Sequence, residues 1–358
     1  MRKTTTCGKL GWIVVSVGVF ASTAGFGGAP VGAAKPLSAI TDLTQVDADF
    51  LFMGEYVGEV LLGTGERQRI GLQVVPLGGG RFFAVEYEGG LPGCGASGKA
   101  RFRMEGQRRG DRLTFVAEPL EVVIYNGVAT FTIQPRGLQI AQLTKIHRVS
   151  PTLGAPPPAG AIVLFDGTNT DQFRNGRMTE DRLLKVGTQL ARVFRDYTLH
   201  LEFRLPYMPM ARGQARANSG VYLQSRYEVQ ILDSFGLEGA DNECGALYRQ
   251  RAPDVNMCLP PLTWQTYDID FRAPRFDSSG HKIQNARITV RHNGVIIHDN
   301  VEVVAKTGHG SPEGPTPLPI KLQDHGNPVV FRNIWIVDRS DSHCPSAPCV
   351  CGLAAAER

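Results

Sequence analysis

The constraint that most narrows the fold is a pattern repeated along nearly the whole chain: short runs in which apolar and polar residues alternate, separated by glycine-rich turns. The clearest case is ARITVRHNGVIIHDNVEV, where ITVRH and VIIHD flank Asn293-Gly294, a pair suited to the positive φ angles of a two-residue hairpin turn. The same alternation recurs in FLFMGEYVGEV, RIGLQVVPL, RFFAVEY, RLTFVAEP and VATFTIQP before residue 150. It recurs after residue 160 in AIVLFDG, YTLHLEFRL, SGVYLQ, YEVQILDS, TYDIDFRAP, PIKLQDH and VVFRNIWIVD. A period of two places side chains on opposite faces of a strand, and helical periodicity is nearly absent, so the chain is all-β. Between the two groups lies PTLGAPPPAG, residues 151–160, which reads as a stiff, extended linker carrying few contacts. The organisation expected is a small antiparallel β-domain over 45–150, the linker, a sandwich or jelly roll over 161–340, and a cysteine-containing tail over 341–358.

Residues 1–33 read as a secretory signal, with Arg2, Lys3 and Lys9 ahead of an apolar run from Trp12 to Phe20 and small residues at its end. Secretion or a periplasmic location follows, with no membrane span in the mature chain. The formal charge of +4 falls to +1 once those three cations are removed, since no acid leaves with them. A near-neutral surface argues against nucleic acid as a partner. Six of the seven cysteines would remain. Cys244 and Cys258 are the best candidates for a disulfide, closing one loop at a gain of roughly 3 kcal/mol in the chain-entropy model. GCGASGK, residues 93–99, has the spacing of a phosphate-binding loop. Ala100 lacks the hydroxyl that magnesium needs and the following residues alternate like strands, so nucleotide binding is rejected.

Candidate chemistry concentrates in NSGVYLQSRYEVQILDSF, residues 218–235. If its two runs pair, Glu228 and Gln230 share one sheet face with Tyr222 or Gln224: a carboxylate, an amide and a phenol that could floor a sugar site. The alternative is a solvated outer face with Glu228 paired to Arg226 or Arg204. Two other strands carry polar rows, His200, Glu202 and Arg204 in one, Lys321, Gln323 and His325 in the other. Trp264 and Tyr248 are possible stacking platforms for a pyranose ring or core residues, and Asn218 a ligand contact or a turn former.

LFDGTN, YTLHLEFRLP, ANSGVYLQSRYEVQILDSF, CGALYRQRAPDVNMCLPPLTWQTYDIDFRAPRF, ARITVRHNGVIIHDNVEV and LQDHGNPVVFRNIWI occur in that order between residues 160 and 338. Over this span the chain resembles the 3-keto-disaccharide hydrolase family, formerly a domain of unknown function. The resemblance implies a concanavalin-like jelly roll, a carbohydrate-active protein, and cleavage of a glycosidic bond in a sugar oxidised to a ketone at C3. Such a ketone acidifies the C2 proton, so a base can remove it and the C1 substituent can be expelled. Glu228 or His325 is the candidate base. Gln230, Arg204, Glu202, Lys321, Gln323, Tyr222, Trp264 and Asn218 are candidates for substrate binding. Arg204, Lys321 or a divalent metal ion held by Glu228 and His325 would stabilise the enolate. The competing expectations are a lectin-like module without catalysis and a conventional glycoside hydrolase using Glu202 with Glu228.

Overall fold

A computed structural model describes residues 38–340 apart from Lys99 and Arg101; the expected signal segment and the tail from residue 341 lie outside the described residues. The first half is a closed antiparallel barrel of eight strands in sequence order, from Gly54–Leu61 to Leu138–Ile146, closed by pairing of its first and last strands. Strand alternation fills it. Tyr56, Leu72, Phe82, Phe115, Phe131 and Leu143 are buried together in one apolar cluster that forms its core.

The second half is a two-sheet sandwich, as the alternating runs require. One sheet has five strands in the order Phe173–Arg174, Thr188–Leu190, Lys321–Leu322, Ser219–Leu223, Tyr227–Ile231. The other has seven: Leu184–Lys185, Val330–Asp338, Tyr197–Arg204, Trp264–Arg272, Ala286–His292 and Val295–Val303 in that order, with Ile162–Phe165 pairing alongside Val330–Asp338. Leu199, Leu201 and Phe203 from the larger sheet and Val221, Val229 and Ile231 from the smaller one belong to a single buried cluster, which identifies the two inner faces. At the hairpin read from Asn293-Gly294, the two residues have φ of 51° and 79°, the left-handed region such a turn needs. Among the described residues no helix is long and apolar enough to cross a membrane.

Two expectations are corrected. Residues 151–160 are not a free spacer: Gly154 donates its N–H to Glu202 at 2.5 Å, and the Ala155 carbonyl accepts from Asn333 at 3.0 Å and from the Trp335 indole at 3.1 Å. The segment is laid along the outer face of the larger sheet because that face offers polar partners for its backbone. Nor do barrel and sandwich pack separately, since Val75, Phe83, Val85 and Tyr87 from the barrel exterior join the buried cluster of the sandwich.

Candidate active site

The site grows out of the hairpin Ser219–Leu223 and Tyr227–Ile231, whose register sets Tyr222 opposite Glu228 and Gly220 opposite Gln230. The strand Lys321–Leu322 lies on the other side, with Lys321 opposite Tyr222, and Gln323 donates its N–H to the Gly220 carbonyl at 2.9 Å. Cross-strand neighbours share a face, so two rows form on the outside of the smaller sheet. One runs Lys321, Tyr222, Glu228; the other runs Gln323, Gly220, Gln230. Gly220 leaves the notch between them: a Cβ there would overlap the Oε1 atom of Glu228. The missing side chain is what lets the carboxyl group lie against the sheet.

Glu228 is only 2% exposed. The Tyr222 hydroxyl donates to its Oε2 at 2.8 Å, and its backbone N–H is held by the Thr307 hydroxyl at 2.8 Å. Burial drives the Glu228 carboxyl up to about 7, against the smaller opposing pull of the Tyr222 hydrogen bond and the Lys321 charge. It can therefore both take and give a proton near neutrality. The Lys321 ammonium lies 5.3 Å from the centre of the Tyr222 ring, and the Gln323 amide donates to the Tyr222 hydroxyl at 3.4 Å. Burial, with the Glu228 charge second, pushes the Tyr222 phenol up, so it remains a proton donor to the carboxylate.

A second layer is made of amides. Gln214 Oε1 accepts from Gln230 at 3.0 Å and from Asn218 at 3.1 Å, tying Asn218 to the site. The Asn218 Oδ1 and Gln323 Oε1 atoms are buried without a hydrogen-bond partner. Tyr248 is half-buried in the covering loop, its N–H on the Glu228 carbonyl at 3.2 Å. Gln214 and Thr307 escaped sequence reasoning, because Gln214 lies in the short 3-10 helix Gly213–Ala215 and Thr307 in a loop, and neither sits in an alternating run.

The polar rows do not all share this face. Gln224 leaves it at the turn, where it has φ of 48°, and its amide bonds to Phe194 and Arg195 carbonyls. Arg226 holds the Pro312 and Thr316 carbonyls and is no partner of Glu228. His325 is exposed in the turn after Lys321–Leu322, with no hydrogen bond to Glu228. Glu202 and Arg204 are misplaced by the one-face expectation: they belong to the larger sheet, on the outer face opposite to that of Glu228. Leu199, Leu201 and Phe203 take the inward positions there, so their neighbours must point away.

Glu202 is instead the centre of the cluster that docks residues 150–155. It accepts from Gly154, from Asn333 at 2.9 Å and from Arg332 at 2.6 Å, while His200 bonds Asp268 at 2.6 Å and stacks on Trp335. Burial would raise Glu202, but those bonds, with His200, outweigh it and hold the carboxyl at about 2. Trp264 lies between two guanidinium groups, Arg332 at 4.0 Å and Arg204 at 5.1 Å from its ring centre, and is no platform for a sugar at Glu228. The Glu202 and Glu228 pair of a conventional glycosidase is not formed.

Cys244 and Cys258 are also corrected. Both are buried free thiols, side-chain neighbours beneath the site strand, with Cys244 Sγ 3.3 Å from the Tyr267 hydroxyl and Cys258 Sγ 3.5 Å from the Leu232 carbonyl. The Tyr267 hydroxyl in turn donates to the Gln230 carbonyl at 2.6 Å, so this packing supports the site strand from behind. As for a metal, the side chains around Glu228 are a phenol, amides and a lysine. Among the described residues no three His, Cys, Asp or Glu side chains converge to hold an ion. A Glu228 and His325 metal site does not fit this donor set.

Residues 160–337 match the model of a family described as the 3-keto-alpha-glucoside-1,2-lyase-like domain. Two solved structures from Parabacteroides distasonis ATCC 8503, each described as a "putative glycosyl hydrolase", are similar to about half of this chain. One is 33% identical, covering 51% of this chain and 84% of its own, with a TM-score of 0.46. The other is 15% identical, covering 50% and 94%, with a TM-score of 0.36. No curated protein sequence matches the chain.

Proposed function

Through residues 160–337 the chain belongs to the 3-keto-alpha-glucoside-1,2-lyase-like family, and on that premise we propose that it cleaves 3-keto-glycosides by elimination at the face around Glu228. The observation that carries this reading is a buried carboxyl group poised near pH 7 beside a phenol and a lysine. In the proposed reaction the Glu228 carboxylate takes the C2 proton, and the electrons of the C–H bond form the enolate with negative charge on the C3 oxygen. Lys321 supplies positive charge for that oxygen. Collapse of the enolate expels the C1 oxygen substituent, which leaves with the proton that Glu228 gives back, and water adds later to the resulting double bond. Tyr222 orients the carboxylate through its hydroxyl. Export is part of the same proposal, since an apolar run behind three cations leads the chain.

The test is a panel of 3-keto-glycosides and the corresponding plain glycosides offered to the purified protein. Turnover confined to the 3-keto compounds and lost in Glu228→Gln supports the proposal. Binding of both classes without turnover would favour the lectin-like reading.

A further inference from the structure

The outer face of the smaller sheet continues one step past Glu228. Tyr227–Ile231 is the edge strand of that sheet, and residues 245–248 pair along its free edge. Gly245 donates its N–H to the Gln230 carbonyl at 2.9 Å, Gln230 donates to the Ala246 carbonyl at 2.9 Å, and Tyr248 donates to the Glu228 carbonyl at 3.2 Å. Val229 stands opposite Leu247, and both are buried in the sandwich core. Since Leu247 faces inward, its neighbour Tyr248 faces outward, beside Glu228. We propose that Tyr248 is the acid that hands a proton to the departing C1 oxygen, an assignment that rests on the elimination reading at Glu228.

The two phenols beside Glu228 are differently engaged. The Tyr222 hydroxyl is spent on the Glu228 carboxylate at 2.8 Å, whereas the Tyr248 hydroxyl makes no hydrogen bond with any described residue, although the side chain is half-buried. Packing fixes where the free phenol sits. Gly308 lies against the Tyr248 ring, where a Cβ would come within 3.1 Å of it, and the adjacent Thr307 hydroxyl accepts the Glu228 N–H, so one short segment seats both side chains. The Arg249 guanidinium lies 5.8 Å from the centre of the Tyr248 ring and shares its charge with the exposed Asp241 at 3.3 Å. A cation at that distance favours the phenolate that proton transfer leaves behind. After burial and the Glu228 charge, Tyr248 is a further cause raising the Tyr222 phenol, as two phenols close together on one face require.

The order along the row matches the order of atoms in the substrate. Lys321, Tyr222, Glu228 and Tyr248 succeed one another across the face. With the C3 oxygen toward Lys321 and C2 at Glu228, the C1 substituent projects on the Tyr248 side. Glu228 takes the C2 proton and the electrons of the C–H bond form the enolate. As the C1–O bond breaks, its electron pair takes the Tyr248 hydroxyl proton, and the substituent departs as a neutral alcohol. The proton held by Glu228 then returns the phenolate to phenol, so Glu228 gives its proton back by way of Tyr248 and both groups end as they began.

The test compares the methyl and 4-nitrophenyl glycosides of one 3-keto sugar, because nitrophenolate leaves without an acid and methoxide does not. Tyr248→Phe keeps the ring against Gly308 and should melt with the parent. It should lose about a hundredfold in turnover of the methyl glycoside and less than about threefold with the nitrophenyl glycoside, whereas Glu228→Gln should lose both alike. In D2O, exchange at C2 of the methyl glycoside, followed by NMR above the uncatalysed rate, should persist in Tyr248→Phe and vanish in Glu228→Gln. Equal losses on the two glycosides, an unimpaired methyl glycoside, or loss of exchange in Tyr248→Phe would overturn the role of Tyr248 and leave that of Glu228 standing. A parent that turns over neither glycoside would overturn the elimination reading and the role of Tyr248 with it.

Discussion

Glu228 shows how one missing side chain and one hydrogen bond tune a carboxyl group. Because its acid form is favoured by burial, the folded chain holds a proton between about pH 4.5 and 7 that the unfolded chain has released. Its contribution to stability accordingly falls as pH rises through that window, by on the order of 3 kcal/mol in all. Glu228→Gln keeps the shape and still accepts from Tyr222, so its melting temperature should exceed that of the parent at pH 8 and the difference should shrink at pH 5. Turnover should fall by about a hundredfold or more, in the range expected for loss of a general base. In the parent, kcat/KM should rise with pH through about 7, since the base must be ionised; a rate falling through that range would assign Glu228 as the acid instead. Tyr222→Phe removes the hydrogen bond that helps the charged form. The midpoint of this pH profile should then move upward, which a purely structural tyrosine would not produce.

At the scale of strands, the hairpin and its face were legible in the sequence: alternation alone put Tyr222, Glu228 and Gln230 together, and the same rule put Lys321 beside Gln323. Alternation says which residues share a face but not which faces meet. The row His200, Glu202, Arg204 obeys the same period as the row around Glu228, yet one borders the proposed site and the other anchors residues 150–155. The distinction depends on which covering segment supplies backbone donors, and that is decided by tertiary packing. For the same reason the thiols of Cys244 and Cys258 could be placed on one loop without their state being readable. Glu202→Ala tests the anchoring role. It strips the buried partner from Arg332 and from the Gly154 N–H, at a cost of about 1–3 kcal/mol, since the Arg332 side chain is itself part-exposed and can be solvated. Protease cleavage within residues 151–160 should accelerate in the variant and not in Glu228→Gln. The depressed Glu202 carboxyl adds a sign for pH: its stabilisation is present above about 4.5 and is lost as pH falls toward about 2.

For the whole molecule, the decisive contact is where the barrel meets the sandwich. Glu55, 1% exposed on the first barrel strand, receives two bonds from Arg148, at 2.6 and 2.5 Å, and one from Gln73 at 2.9 Å, while Arg148 also reaches the Pro92 carbonyl at 2.6 Å. Around this polar knot the barrel residues Val75, Phe83 and Val85 are buried with the sandwich core, so separating the halves would expose apolar surface and a charged pair together. The two halves should therefore unfold as one cooperative unit despite the proline-rich segment between them. The chain supplies its own reporters. Trp264 and Trp335 are in the sandwich and the barrel has no tryptophan, so in a chain cut to remove the leading segment with Trp12, indole fluorescence follows one half whereas far-ultraviolet circular dichroism follows both. Coincident midpoints in urea are expected, and Glu55→Ala, a change confined to the barrel, should lower the fluorescence midpoint as much as the dichroism midpoint. A fluorescence transition indifferent to Glu55→Ala would mean that the sandwich stands without the barrel, and that the shared core adds contact without coupling.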